Sequence, residues 1–193
     1  MPPLKPHHHE CTVLRLRPDS SLSLGATSSS TQPLSLLGPI KLWCVENSDT
    51  FVSYDGTIVH VHGYSLINHG HPLSGLEWPK LYPLNVFVFH VSGIRDHQQA
   101  ADAHAFVAGN VLLLERDPAS SAGPNEIRVM SQDGGLQAGF VPTDVAAMMA
   151  PIMDSAHLPQ AAGAVLKTFF MVEGHRKAIE VVAVIGRELD LVL

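Results

Sequence analysis

The sequence predicts a mainly β fold of the α+β kind. The expected core is a small antiparallel barrel of the OB or SH3 type, with one or two helices and an N-terminal extension. Three observations carry this. Asn85–Ser92 is a near-continuous run of β-formers (Val86, Phe87, Val88, Phe89, Val91), as expected of a strand buried on both faces. Short β-prone segments recur between turn signals at Asp55-Gly56, Asp133-Gly134-Gly135 and Glu173-Gly174. Only one stretch, 143–153, has clear helical periodicity, so a parallel βαβ sheet is not expected.

The elements follow in order. Ile40–Val45 reads as a strand. Thr50–Tyr54 and Thr57–His62 read as a hairpin closed by Asp55-Gly56, the dipeptide a type I′ turn favours. Residues 63–84, rich in Gly, His and Pro, read as a loop. After the central strand, His97–Val107 is compatible with a helix. Val111–Glu115, Ile127–Ser131 and Leu136–Val141 read as strands. Thr143 reads as the N-cap of the following helix, with Asp144 near its positive end. Val145, Met148, Met149 and Ile152 form its expected apolar stripe. Val165–Val172 and Ala178–Ile185 close the chain as a hairpin.

The division expected along the chain is a Ser/Pro-rich disordered tail at 1–38, a hairpin-containing extension at 39–84 and one domain at 85–193. The tail holds five prolines and the run Ser28-Ser29-Ser30-Thr31, without aromatic residues to offset the entropy of ordering. Its Arg15 and Arg17 suggest a transit peptide, against which Glu10, Asp19 and the early prolines weigh. A chain of 193 residues, 46% hydrophobic, buries a core without metal or disulfide. Two cysteines, Cys11 and Cys44, exclude a Cys-rich zinc fold and fit a reducing, intracellular compartment, cytoplasmic or nuclear. No apolar run approaches the roughly 18 residues a membrane helix needs. A net charge of −6 disfavours a dedicated duplex binder.

Four joints stand in a telling order. The central strand ends in Ser92-Gly93-Ile94-Arg95, and the next ends in Arg116-Asp117-Pro118. A loop then closes at Asn125-Glu126-Ile127, and Gly139-Phe140-Val141-Pro142 leads into an Ala-rich helix ending at Asp154. Pro118 stops a strand because it cannot donate to the ladder. Gly139 permits a close approach before the helix. This order, running from about Val86 to Ile185, resembles the HIRAN domain, a small β-rich module of SWI/SNF-type fork-remodelling helicases that also occurs alone.

The resemblance implies a non-enzymatic module that binds DNA, single-stranded or at a free 3′ end, in repair or replication. It implies no cofactor, and the helicases' ATPase motifs are absent from this chain. The residues it points to are Arg95, His97, Arg116, Asn125, Phe140 and Thr143, with Phe140 offering a ring to a base and Arg95 a fork to phosphate. The loop Ala119-Ser120-Ser121-Ala122-Gly123-Pro124 departs from the family pattern, lacking the aromatic ring and the carboxylate found there. Residues 85–193 hold seven Lys and Arg against twelve Asp and Glu, a balance of −5. Binding to DNA is therefore expected to be weak, and the alternative is a protein-interaction module that keeps the scaffold. No catalytic residue and no metal site is assigned.

Apart from the run His7-His8-His9 in the tail, the dense histidine region is His60 and His62, one face of a strand, with His69 and His71 in the following loop. They read by default as surface residues rather than zinc ligands. Trp43, Trp78 and Tyr82 read as packing residues of the extension, with Trp78 beside Pro79 a second choice as a partner anchor.

Overall fold

The computed structural model describes residues 12–17, 40–171 and 174–193. Its strands are β1 (Val13–Leu16), β2 (Ile40–Val52), β3 (Ile58–Asn68), β4 (His71–Pro72), β5 (Val86–His90), β6 (Val111–Arg116), β7 (Ile127–Ser131), β8 (Gln137–Phe140), β9 (Gln160–Met171), β10 (Arg176–Val184) and β11 (Leu189–Val192). Two α-helices, α1 (Gln98–Ala101) and α2 (Thr143–Ser155), and three 3₁₀ turns complete it. The mainly β class is as the sequence indicates. The barrel, however, is not closed.

β9 is where the sheet forks. One of its edges pairs with β10 throughout. The other is shared: Gln160–Ala164 pair with β6, and Lys167–Met171 pair with β3. The first branch runs β5-β10-β9-β6-β7-β8 and curls around α2. Its two ends meet through a single bridge, in which Ser92 and Phe140 exchange N–H···O bonds of 2.8 and 2.9 Å. The second branch runs β9-β3-β2-β11-β1, with β11 parallel to β2. The hairpin extension at 39–84 is thus sewn into the same sheet.

Alternation along β5 explains the double burial expected of it. Phe87 and Phe89 enter the core under α2, and Val86 and Val88 enter a second core on the opposite face. β10 repeats the pattern, with Val181 and Ala183 on one side and Val182 and Val184 on the other. Leu16, Leu66, Leu189 and Leu191 cover the second core from the extension and the two terminal strands.

Several expectations are corrected. Residues 13–16, assigned to the tail, form β1 on β11 because Leu16 fills the second core and Arg15 pairs with Asp190 at 2.7 Å. The rest of 1–38, apart from 12–17, lies outside the described residues. The loop expected over 63–84 contains the end of β3, β4 and the 3₁₀ turn Trp78–Leu84. The β2–β3 hairpin is not closed by a type I′ turn. Among its turn residues only Gly56 has positive φ, and Ser53 N–H bonds to Thr57 O (2.8 Å) around the three-residue loop Tyr54-Asp55-Gly56.

The helix expected over 97–107 is split into 3₁₀ turns at Ile94–His97 and His104–Phe106 around α1. Ala101 and Phe106 are both fully buried there, which holds the segment tight to the core. Pro142, not Thr143, is the N-cap of α2, and Thr143 is its first helical residue with no side-chain capping bond. The buried stripe is Val145, Ala146, Met149, Ala150 and Met153, leaving Met148 exposed. Ala146 and Ala150 share the buried face with Val145, Met149 and Met153, so that face is centred away from Met148. Trp43, expected as a packing residue, is 56% exposed, whereas Trp78 packs against the second core and Tyr82 stacks on Phe87 at 5.1 Å.

Candidate nucleic-acid interface

β8 carries a register shift opposite Val129 and Met130. The shift matters because Ala138 and Val141 both face the core under α2, yet Phe140 pairs with Arg128 on the outer face. Gly139 makes the bulge possible. Its φ is +148, and a Cβ there would collide with the Ser92 carbonyl and lie 2.8 Å from a Val91 methyl. A row of side chains therefore crosses the outer face: Ser92, Phe140, Arg128 and Glu115.

The Phe140 ring is partly exposed. It sits against Gly93, where an added Cβ would come within 3.2 Å of Cδ2. His97 meets it edge to face at 5.5 Å. Gly93, at φ +73, starts the 3₁₀ turn that carries exposed Arg95 two residues before His97. Among the described residues Arg95 has no carboxylate within ion-pair distance. Thr143 is exposed at the start of α2, three residues after Phe140.

The structure thus brings His97 and Phe140 together where β8 meets the end of β5, with Arg95 two residues before His97 in the same turn and Thr143 three residues after Phe140. Arg128 joins them by cross-strand pairing. Its guanidinium lies 3.3 Å from Glu115 and 3.8 Å from Asp117, and its buried Nε has no partner among the described residues. Asn125 is exposed in the loop after β6, whose base is closed by Asp117 N–H to Glu126 O at 3.0 Å.

Arg116 stands apart. It pairs across to Ile127 on the core side of β6. Its side chain is only 6% exposed, and Nε and Nη2 donate to the two Asp154 oxygens at 3.0 and 2.9 Å. Nη1 donates to Glu126 O at 3.2 Å. This arginine ties the loop to the end of α2, and we leave it out of the interface.

The rim is not a basic groove. Arg95 and Arg128 stand among Asp96, Glu115, Asp117 and Asp144. What it offers is a ring pair with two cations at its flanks. Phe140 was visible in the sequence. The role of Ser92 as its bridge partner was not, because nothing in the local sequence announces a pairing 48 residues away. The four histidines of the extension do not converge: among the described residues no three His, Cys, Asp or Glu side chains form a metal-holding group, and His60 Nδ1 lies 3.0 Å from Thr50 Oγ1. Among them, too, no helix is long and apolar enough to cross a membrane.

Comparison with known proteins gives two findings. Residues 84–165 match the HIRAN domain family. The crystal structure of the HIRAN domain of human HLTF is 25% identical, aligns over 51% of this chain and 74% of that chain, and superposes with a TM-score of 0.36. No curated protein matches the chain. The family match takes in β5 to β8, α2, the first part of β9 and every residue of the rim; β1 to β4, β10 and β11 lie outside it.

Proposed function

We propose that the HIRAN-matched module binds single-stranded DNA, or a DNA end, on the rim formed by Arg95, His97, Phe140, Arg128 and Thr143. The family match supports nucleic-acid binding in general, and it concerns a binding domain, not a catalytic one. The observation that carries the finer reading is the partly exposed Phe140–His97 ring pair, with exposed Arg95 in the same turn as His97. An unpaired base has a π-face for Phe140, and the Arg95 fork suits a phosphate. Asn125 is a further polar contact in this reading, at the edge of the rim. A role in repair or replication follows from this reading.

Binding is weak by construction. One stacked ring contributes about 1–3 kcal/mol, and the surrounding carboxylates repel the backbone. We expect dissociation constants on the order of micromolar or higher at physiological salt. The decisive experiment is fluorescence anisotropy with short single strands bearing free or phosphate-blocked 3′ ends. Saturable binding that falls with salt, and is weakened by Phe140→Ala, supports the reading. Equal affinity for both ends assigns the strand rather than its terminus. Undetectable binding at low salt favours the second reading, a protein-interaction module, for which the acidic surround of the rim is the relevant observation.

A further inference from the structure

β2 lies outside the family match, and half of it has an open edge. β11 runs beside it only from Ile40 to Trp43, where Val192 ends the ladder. β3 covers the other edge without a register shift from Trp43 to Val52. Ile40 N–H donates to Glu188 O at 3.0 Å, so the even-numbered residues of β2 turn their N–H and C=O toward the β11 side. Ser53 N–H donates to Thr57 O at 2.8 Å, so the odd-numbered ones turn toward β3. Among the described residues no strand therefore meets the N–H and C=O of Glu46, Ser48, Thr50 and Val52. The Thr50 N–H donates instead to its own neighbour, Asp49 Oδ1, at 2.7 Å.

The usual protections of such an edge are absent. Residues 46–52 hold no Pro and no Lys, and no bulge interrupts them. Their side chains are selective. Phe51 is 44% exposed and Val52 68%, and Ile58, opposite Val52 on β3, adds an apolar neighbour on the same face. Glu46 and Asp49 are exposed, and among the described residues neither has a Lys, Arg or His within ion-pair distance. The edge is thus apolar toward the hairpin tip and anionic behind it. Nucleic acid would bring phosphates against these carboxylates. A second copy fits no better. Pairing centred on Ser48 would drive the copy's Ser53 and Tyr54 into the end of β11, and the next shifts that clear it bring the two Asp49 carboxylates opposite or diagonal to each other.

We propose that the open edge of β2, Glu46–Val52, takes an extended basic peptide as an added antiparallel strand. The first, third, fifth and seventh residues of the peptide bond to Val52, Thr50, Ser48 and Glu46, and the Asp49 carboxylate leaves the Thr50 N–H to them. Apolar side chains at its first two positions cover Val52 and Phe51. Lys or Arg at its fourth and seventh positions stands opposite Asp49 and Glu46. The assignment does not depend on the Phe140 rim.

The probe is the fluorescein-labelled peptide VVTKTTK, acetylated and amidated, titrated with full-length protein at low salt and read by anisotropy. We expect saturable binding that weakens with salt. N-methylation of its third and fifth residues, whose N–H groups face β2, should abolish binding, whereas N-methylation of the fourth and sixth should leave it. VVTETTE should not bind. Glu46→Lys/Asp49→Lys, at exposed positions, should lower affinity on the order of ten-fold or more, and Phe140→Ala should leave it unchanged. No saturable binding overturns the proposal. Binding that tolerates methylation of the third and fifth residues, or that survives Glu46→Lys/Asp49→Lys, places the peptide elsewhere and overturns it too. So does a dimer in sedimentation that excludes the peptide, which would give the edge to a second copy of this chain.

Discussion

Gly139→Ala should damage the fold and the rim together. In the native backbone Gly139 has φ +148, and an added Cβ would run into the Ser92 carbonyl and sit 2.8 Å from Val91 Cγ1. Neither neighbour can swing away: one is backbone and the other belongs to a buried core residue. The chain must separate Ser92 from Phe140, losing the two bridge bonds of 2.8 and 2.9 Å. Two net hydrogen bonds contribute about 2 kcal/mol. Forcing alanine into this region of φ costs about 1–3 kcal/mol more. The sum, about 3–5 kcal/mol, is a large share of the roughly 5–15 kcal/mol that holds a domain folded. With a urea m-value of about 2 kcal/mol/M, the midpoint should fall by about 1.5–2.5 M with m unchanged. Gly75→Ala is the control, since nothing lies within 4 Å of its added Cβ. A Gly139→Ala midpoint within about 0.3 M of that control would refute the reasoning, and with it the claim that this bridge positions Phe140.

Four further outcomes are expected. Arg116→Ala should lower stability by about 1–2 kcal/mol, since its two bonds to Asp154 are charge-assisted but half open to solvent, and should leave DNA affinity unchanged; thermal unfolding and anisotropy on the same sample check both. Met149→Ala, at a fully buried site under the sheet, should cost about 2–5 kcal/mol in urea unfolding. Arg95→Ala should reduce the slope of log affinity against log salt by about 0.7, the increment for one phosphate contact on a single strand; an unaltered slope removes Arg95 from the interface. The last concerns acid. Burial pushes the Asp102 carboxyl up, but bonds from His175, Arg176 N–H and Gln98, each 2.9 Å, outweigh it and hold the group below its ordinary value. Its stabilising effect is therefore complete above the unfolded value of about 3.9 and is lost as pH falls from there toward the lower folded value. The stability gap between wild type and Asp102→Asn should be widest near pH 6 and shrink below pH 4.

What the sequence made legible was local. β5 could be read because Val86–Phe89 alternate between two cores, so no position is polar. The turn at Asp55-Gly56 was visible but its type was not: the dipeptide fills the second and third places of a three-residue loop, and only Ser53–Thr57 pairing reveals that. The buried face of α2 was misread in part because Ala146 and Ala150, which hydrophobic periodicity weighs below Met148, share it with Val145, Met149 and Met153.

The misreadings of longer range have one physical source. β1 is four residues long, and its partner lies at the other end of the chain, with Arg15 and Asp190 separated by 175 positions. No window of sequence contains both halves of that ladder. Arg116 looked like a ligand-binding cation because its carboxylate, Asp154, is 38 residues away. Arg95 and Arg116 both stand near strand ends in the sequence, yet one projects from a 3₁₀ turn into solvent and the other, the last residue of β6, is clamped to a helix terminus. A charge at a strand end thus becomes a candidate contact only after its intramolecular partners have been counted. By that count Arg95 is left as the candidate contact of the rim, and Arg128 is shared with Glu115 and Asp117.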